Sequence, residues 1–383
     1  MPLRWFDAHL DLAYLAVRGR AMTKPLAELS GSAAGPDGPP AITLPSLRDG
    51  EVRLALATIF TEVVEPGTDN LTAEQYIAGD AEAAHRRGRA QLEAYLTWAD
   101  QDLVSIDLPR LLHPPEGVGE IRGGMGVSEI VPPSVDATAA RGLRDHKLHI
   151  GILMENADPI REPAELAWWV ERGVCAIGLA WARPSRYAAG NNVPPEERQG
   201  ISSLGRDLVR EMDQHGVVHD ASHLSDRSLE DLFAMTSRPV IASHSNCRAL
   251  LDRPGGIITQ RHLTDRAIRE IAARGGIIGI NLYSTFLNRN GKDRRATLLD
   301  VIAHIERMCE LVGDQRHVGL GSDMDGGFSR ERLPAGIDSP RDLRAISEAL
   351  RRRGWNDEQI EDFAWRNWAR FWSKAGPKVT ARA

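Results

Sequence analysis

Five side chains able to hold a metal ion stand in short, well-separated stretches of the sequence: His9 and Asp11, Glu155, His223, and His244. Imidazole and carboxylate are ligands that zinc accepts at catalytic sites. His9 and Asp11 lie two residues apart, and a period of two puts both on one side of an extended chain, where one cation can take both. A further carboxylate, Asp323, stands in Gly321-Ser322-Asp323-Met324-Asp325-Gly326. Taken singly, each has an ordinary explanation: an H-x-D pair arises by chance, a lone Glu caps a helix, and a lone His is hydrogen-bonded in a core. The chemistry is credible because all of them follow short apolar runs.

Those runs cover residues 3–8, 52–61, 149–154, 174–179, 217–220, 239–243, 276–281 and 317–321. They read as eight strands, with helical patterns at 203–215, 225–236, 264–274 and 296–312 between the later ones. Strand-then-helix alternation predicts parallel βα units, and eight of them predict an α/β fold of the (β/α)8 TIM-barrel type. In such a barrel the strand C-termini converge on one face, so residues ending different strands meet across its mouth. One domain over 1–383 is expected, with an elaborated connection at about 62–148 (helical over 72–102, then rich in Gly and Pro over 111–133). Two closing helices are expected at about 340–373; residues 28–40 read as a loop, and either they or the 111–133 stretch could cover the site.

The other histidines carry less. His219 lies inside the fifth run and rivals His223, but its place within a strand suits a core role. His146 and His149 precede the third strand at the wrong end of the barrel. His85, His113, His215, His262, His304 and His317 have no spacing that implies chemistry. Gly123-Gly124-Met125-Gly126 is a poor phosphate cradle, since no strand–helix junction frames it.

The bulk numbers exclude several classes. Of 383 residues, 42% are hydrophobic and 26% charged, a globular balance; 47 basic against 53 acidic residues leave a net charge of −6. No like-charge block suggests nucleic acid or a polybasic membrane patch. Cys175, Cys247 and Cys309 are too sparse for a disulfide framework and fit a reducing compartment. With no signal-peptide core, no apolar run of about 18 residues and a polar tail from 373 to 383, the expectation is a cytoplasmic protein without membrane attachment.

In order along the chain, Asp7-Ala8-His9-Leu10-Asp11-Leu12, Gly151-Ile152-Leu153-Met154-Glu155, Asp220-Ala221-Ser222-His223, Val240-Ile241-Ala242-Ser243-His244-Ser245, Gly275-Gly276-Ile277-Ile278-Gly279-Ile280-Asn281 and His317-Val318-Gly319-Leu320-Gly321-Ser322-Asp323-Met324-Asp325-Gly326 resemble the membrane dipeptidase (renal dipeptidase-like) family of the amidohydrolase superfamily. The resemblance implies two Zn2+ ions per chain. His9 and Asp11 would hold one, His223 and His244 the other, and Glu155 would bridge them with a water or hydroxide between the metals. It makes Asp323 the catalytic acid/base and Arg261 the grip on a substrate's terminal carboxylate, a role that suits the planar guanidinium fork. It also makes a homodimer a fair expectation. Arg253 is the alternative to Arg261, because residues 252–258 lengthen that connection.

One departure concerns the substrate. Where the family has a histidine after strand four, this sequence has Trp181, in Gly178-Leu179-Ala180-Trp181-Ala182-Arg183. An indole donates one hydrogen bond and accepts none. Either Arg183 stabilises the transition state instead, or the substrate range differs. The expected function is zinc-dependent hydrolysis of dipeptides with a free C-terminal carboxylate. The alternatives are another amidohydrolase acting on N-acyl amino acids or related amides, and a non-catalytic metal-binding barrel. The partner is in each case a small molecule.

Overall fold

The computed structural model describes residues 2–113, 120–124, 127–131, 147–252, 259–290 and 293–377. Eight parallel strands form its centre: β1 (Trp5–Leu10), β2 (Val52–Ile59), β3 (Leu148–Met154), β4 (Val174–Gly178), β5 (Val218–Asp220), β6 (Val240–Ile241), β7 (Ile278–Ile280) and β8 (Val318–Leu320). They pair in the order β6-β5-β4-β3-β2-β1-β8-β7. A single parallel bridge, Ala242↔Ile278, joins the two ends and closes the ring. Hydrogen bonds from Ala242 N to Ile277 O at 3.0 Å and from Gly279 N to Ala242 O at 2.8 Å support that seam. This is the expected (β/α)8 architecture, each strand lying inside or within two residues of its apolar run.

Beyond the strand ends the chain leaves the ladder at the barrel mouth. There His223, Asp323 and Asp325 adopt φ of 67°, 58° and 63°, a left-handed conformation that costs a non-glycine residue free energy and concentrates at functional sites. In β1, Phe6 stacks on Trp368 at 5.6 Å between ring centroids, on the helix side. Asp7 and His9, on the alternate face, turn toward the barrel interior.

Helices α1 (Leu12–Val17), α2 (Leu44–Asp49), α3 (Ala81–Asp100), α4 (Ser203–His215), α5 (Asp226–Met235), α6 (Asp265–Ala273) and α7 (Leu298–Val312) surround the strands. The boundaries of α4 to α7 follow from capping. Ser202, Ser225, Thr264 and Thr297 each accept a backbone N–H of the first turn, and Gly313 ends α7 at φ 88°. The pattern over 72–102 resolves differently: Gln75–Ile77 pairs in parallel with Glu62–Val64, and the helix begins only where Asp80 caps Ala83 N at 2.8 Å. Two single 3-10 turns, Leu26–Glu28 and Gly31–Ala34, occupy the stretch read as a loop. The closing segment is α8 (Arg344–Arg352), then Asp357–Glu361, a π-turn at Asp362–Arg366 and α9 (Asn367–Trp372). Trp368 Nε1 there donates to Leu320 O at 3.0 Å. Buried apolar side chains from Trp5 to Ala375 form one connected cluster.

Strands β6, β7 and β8 approach so closely that two glycines are obligatory. A Cβ at Gly321 would lie 1.8 Å from the Ser243 carbonyl oxygen, and one at Gly279 would lie 2.0 Å from it. Backbone cannot yield as a flexible side chain can. Gly321→Ala is therefore expected to destabilise the fold by about 3 kcal/mol or more; a thermal unfolding midpoint equal to wild type would refute this.

Candidate metal centre

The strand ends bring the predicted ligands together. Glu155, just past β3, places Oε1 3.5 Å from His9 Nε2, 3.2 Å from His223 Nε2 and 3.4 Å from His244 Nε2. Asp11 Oδ1 lies 3.8 Å from His9 Nε2. Two sets of potential ligand atoms fall within 4.8 Å of one another among the described residues: His9, Glu155 and His244, and His9, Asp11 and Asp323. His9 belongs to both sets. The His9 and His244 rings stack at 3.6 Å, and the His223 and His244 Nε2 atoms are 2.9 Å apart. All six side chains are buried.

Three of them are aimed by partners of their own. Thr58 Oγ1 donates to Asp11 Oδ1. His223 Nδ1 meets Asn191 Oδ1 at 3.0 Å, and Asn281 Nδ2 donates to Asp323 Oδ2 at 2.9 Å. Asp7 Oδ1 accepts from Ser322 N at 2.7 Å and His9 N at 3.3 Å, tying β1 to β8 beneath the site. Asp325 Oδ2 accepts from Ala41 N and Ile42 N at 2.8 and 2.9 Å and pairs with Arg20, anchoring the 20–42 segment to the rim. Gly326 leaves the carboxylates their room, since a Cβ there would sit 1.9 Å from Asp323 Oδ1 and 2.8 Å from Asp11 Oδ2.

The electrostatics of the pocket follow from its burial. Burial, then the charges of Asp11 and Asp323, holds the Glu155 carboxyl well above the usual carboxylate range. Burial and then Asp11 do the same to Asp323, and burial pushes Asp11 up to about 6. Burial first, with Arg261 among the further causes, holds His9, His223 and His244 well below the ordinary histidine value, so they stay neutral with lone pairs free to ligate. Three carboxyls buried together are costly, and among the described residues the Arg261 guanidinium offsets that cost only in part, at Glu155 and Asp323. His9 Nε2 is buried there without a hydrogen-bond partner. The donor set fits divalent cations.

Arg261 is buried beside this cluster; Nη2 donates to His244 O at 2.8 Å, Nη1 to Ser245 Oγ at 3.1 Å, and Nε has no partner. Its guanidinium carbon lies 5.1 Å from the centroid of the Phe286 ring. Trp181 is half-buried, its ring 5.8 Å from that of His223 and edge-on to Phe60 at 5.1 Å. Arg183 is exposed, with Nη1 3.0 Å from Glu65 Oε1, and the structure does not bring it into the cluster. Arg253, Met125, Gly126 and His146 lie outside the described residues.

Several of the remaining histidines have structural partners, although the buried His262 Nδ1 has no hydrogen-bond partner. His219 Nε2 meets Asp213 at 2.7 Å and His149 Nδ1 meets Asp107 at 2.9 Å. His304 accepts from Cys247 N and donates to Leu287 O, burial lowering its pKa to about 4. Sequence reasoning assigned no role to Thr58, Asn191, Asp220, Ser243, Asn281 or Asp325. Asp220, Ser243 and Asn281 were visible as polar residues closing otherwise apolar runs; Thr58 and Asn191 gave no such signal.

A family model described as membrane dipeptidase (peptidase family M19) matches residues 130–381. An uncharacterised Klebsiella pneumoniae protein from the region 5′ of pqqA is 30% identical over 214 residues, which are 55% of this chain and 75% of that protein. An uncharacterised dipeptidase of Schizosaccharomyces pombe is 29% identical over 210 residues, 55% of this chain but only 49% of the yeast protein. The fold is shared with a metallo peptidase from Rhodobacter sphaeroides, whose crystal structure holds a phosphinate mimic of the dipeptide L-Ala-D-Ala. The TM-score is 0.74 at 22% identity, over 98% of this chain and 100% of that one.

Proposed function

The chain belongs to the membrane dipeptidase family, peptidase family M19, and is a peptide-bond hydrolase; from that premise we propose a two-zinc dipeptidase acting on substrates with a free C-terminal carboxylate. The observation that carries this reading is the convergence of three imidazole Nε2 atoms within 3.2–3.5 Å of one Glu155 oxygen. His9 and Asp11 would hold one ion, His223 and His244 the other, with Glu155 shared between them. When bound, the ions would supply a water activated at neutral pH and a Lewis acid for the scissile carbonyl.

The protein's own groups do the rest. Asp323, held through Oδ2 by Asn281, takes the water's proton and passes it to the leaving amine. Arg261 has spent two donors on His244 O and Ser245 Oγ and has three left for the substrate carboxylate. Trp181 and Phe60 present an apolar wall beside His223 for a substrate side chain. The three widely spaced cysteines, all free, support the further reading that the enzyme works in the cytoplasm.

The test is a panel of L,L and L,D dipeptides alongside N-acyl amino acids, with metal content measured on the same preparation. Both classes offer Arg261 a carboxylate, so hydrolysis of the acyl compounds alone would overturn the dipeptidase reading. Two bound ions with no hydrolysis would make the barrel a binding module. Arg261→Lys keeps the charge and loses the fork; KM is expected to rise about 10- to 100-fold, the worth of a charged hydrogen-bonded contact, with kcat little changed. An unaltered KM would remove Arg261 from the substrate site.

A further inference from the structure

Beneath the ligand cluster one hydroxyl touches two of the imidazoles. Ser243 Oγ lies 2.6 Å from Asp220 Oδ2, 3.1 Å from His9 Nδ1 and 2.8 Å from His244 Nδ1. The Asp220 carboxylate is wholly buried; its Oδ1 accepts from Ser222 N at 3.0 Å and Ser243 N at 2.8 Å. A carboxylate accepts only, and a hydroxyl has one hydrogen and two acceptor positions. The Ser243 hydrogen therefore goes to Asp220, and both lone pairs are left for the two imidazoles. Each imidazole must then present Nδ1–H, and a neutral ring has only that one hydrogen. Nε2 of both rings is left as a bare lone pair facing Glu155. Ser222 Oγ, 3.4 Å from Ser243 Oγ, is too distant to compete.

We propose that Ser243, oriented by Asp220, is a positioning residue that sets the ligating tautomer of His9 and His244 together. It would thereby couple one ligand of each metal ion through a single hydroxyl. The inference rests on the two-ion reading above, in which His9 and His244 serve different ions. Asn191 plays the equivalent part for His223 alone. The third ring can thus be disturbed independently, whereas the first two cannot.

Two substitutions separate this from a packing role. Ser243→Ala leaves both Nδ1–H groups without an acceptor, so the tautomers mix. Zinc affinity is expected to fall about 10- to 100-fold at both ions, the usual cost of losing a partner behind a ligand. Asp220→Asn is isosteric, and its oxygen must still accept the two backbone N–H groups, so its amide nitrogen faces Ser243. That nitrogen donates to the hydroxyl, whose own hydrogen turns onto one imidazole, and affinity is expected to fall mainly at one ion.

The measurements are competitive chelator titration with zinc and nitrogen-15 imidazole spectra of the metal-free protein, with thermal unfolding as a check that each variant folds. Wild-type affinity at both ions in Ser243→Ala, or unchanged tautomers in the metal-free spectra, would overturn the proposal. If Ser243→Ala does not fold, an equal loss or none at the two ions in Asp220→Asn does so. Neither readout uses a substrate. Failure to cleave dipeptides therefore sinks only the function above. Failure of wild type to bind zinc sinks the two-ion reading, while the metal-free spectra still decide whether Ser243 sets the tautomers.

Discussion

Asp323→Asn is expected, on the proposed two-ion reading, to keep both ions bound and to lose about 10²- to 10⁴-fold in kcat, the span typical of a positioned acid/base. An amide occupies the same volume and still accepts the Asn281 Nδ2 hydrogen bond that holds Asp323 at 2.9 Å, so the pocket should keep its shape. What disappears is the capacity to take a proton and return it. The surroundings suit proton transfer, because the residue is buried beside the ligand cluster, within reach of His9 and Asp11. Activity and metal content measured on one preparation distinguish the outcomes. Full activity would remove Asp323 from the chemistry. Loss of one ion would make it a ligand, which its proximity to His9 and Asp11 permits.

Glu155→Gln should be as damaging by another route. The single Oε1 faces three imidazoles, and no other carboxylate does so among the described residues. An amide oxygen at that point is a weaker ligand with no charge. Zinc retention is expected to drop from two ions to one or none after dialysis, with activity falling to background. The metal-free protein should respond in the opposite sense. There Glu155 is a buried carboxyl crowded by Asp11 and Asp323, and a neutral isostere relieves that cost. The metal-free Tm is therefore expected to rise while the zinc-loaded Tm falls. Equal shifts in both forms would mean that Glu155 acts through packing rather than as a shared ligand.

Much of this arrangement is legible in the sequence because strand ends and ligands coincide. The apolar runs located all eight strands, and asking which residues close each run picked out His9, Glu155, His223 and His244. The helical patterns at 203–215, 225–236, 264–274 and 296–312 located α4 to α7 to within two residues. The connection at 62–148 was harder, since its short strand Gln75–Ile77 is too brief for periodicity to separate from the helix that follows. The groups that aim the ligands were least legible. Thr58 sits inside an apolar strand, and Asn191 lies 32 residues from the ring it orients; only the closed barrel brings them close. Arg183 shows the converse. It is adjacent in sequence to the site strand, yet it faces Glu65 and solvent.

The seam between β6 and β7 gives the centre an order of assembly. The ring is joined there by one bridge, and Ser243 and His244 follow it directly along the chain. The ligand set is therefore incomplete until the first and sixth strands, more than 200 residues apart, are held within one closed circle. Non-local closure of this kind is slow, so metal capture belongs at the end of folding rather than at its start. Ions gripped by His9 on one strand and His244 on another would then clasp the circle at its thinnest join. The metal that serves the chemistry would also be the last fastening of the barrel.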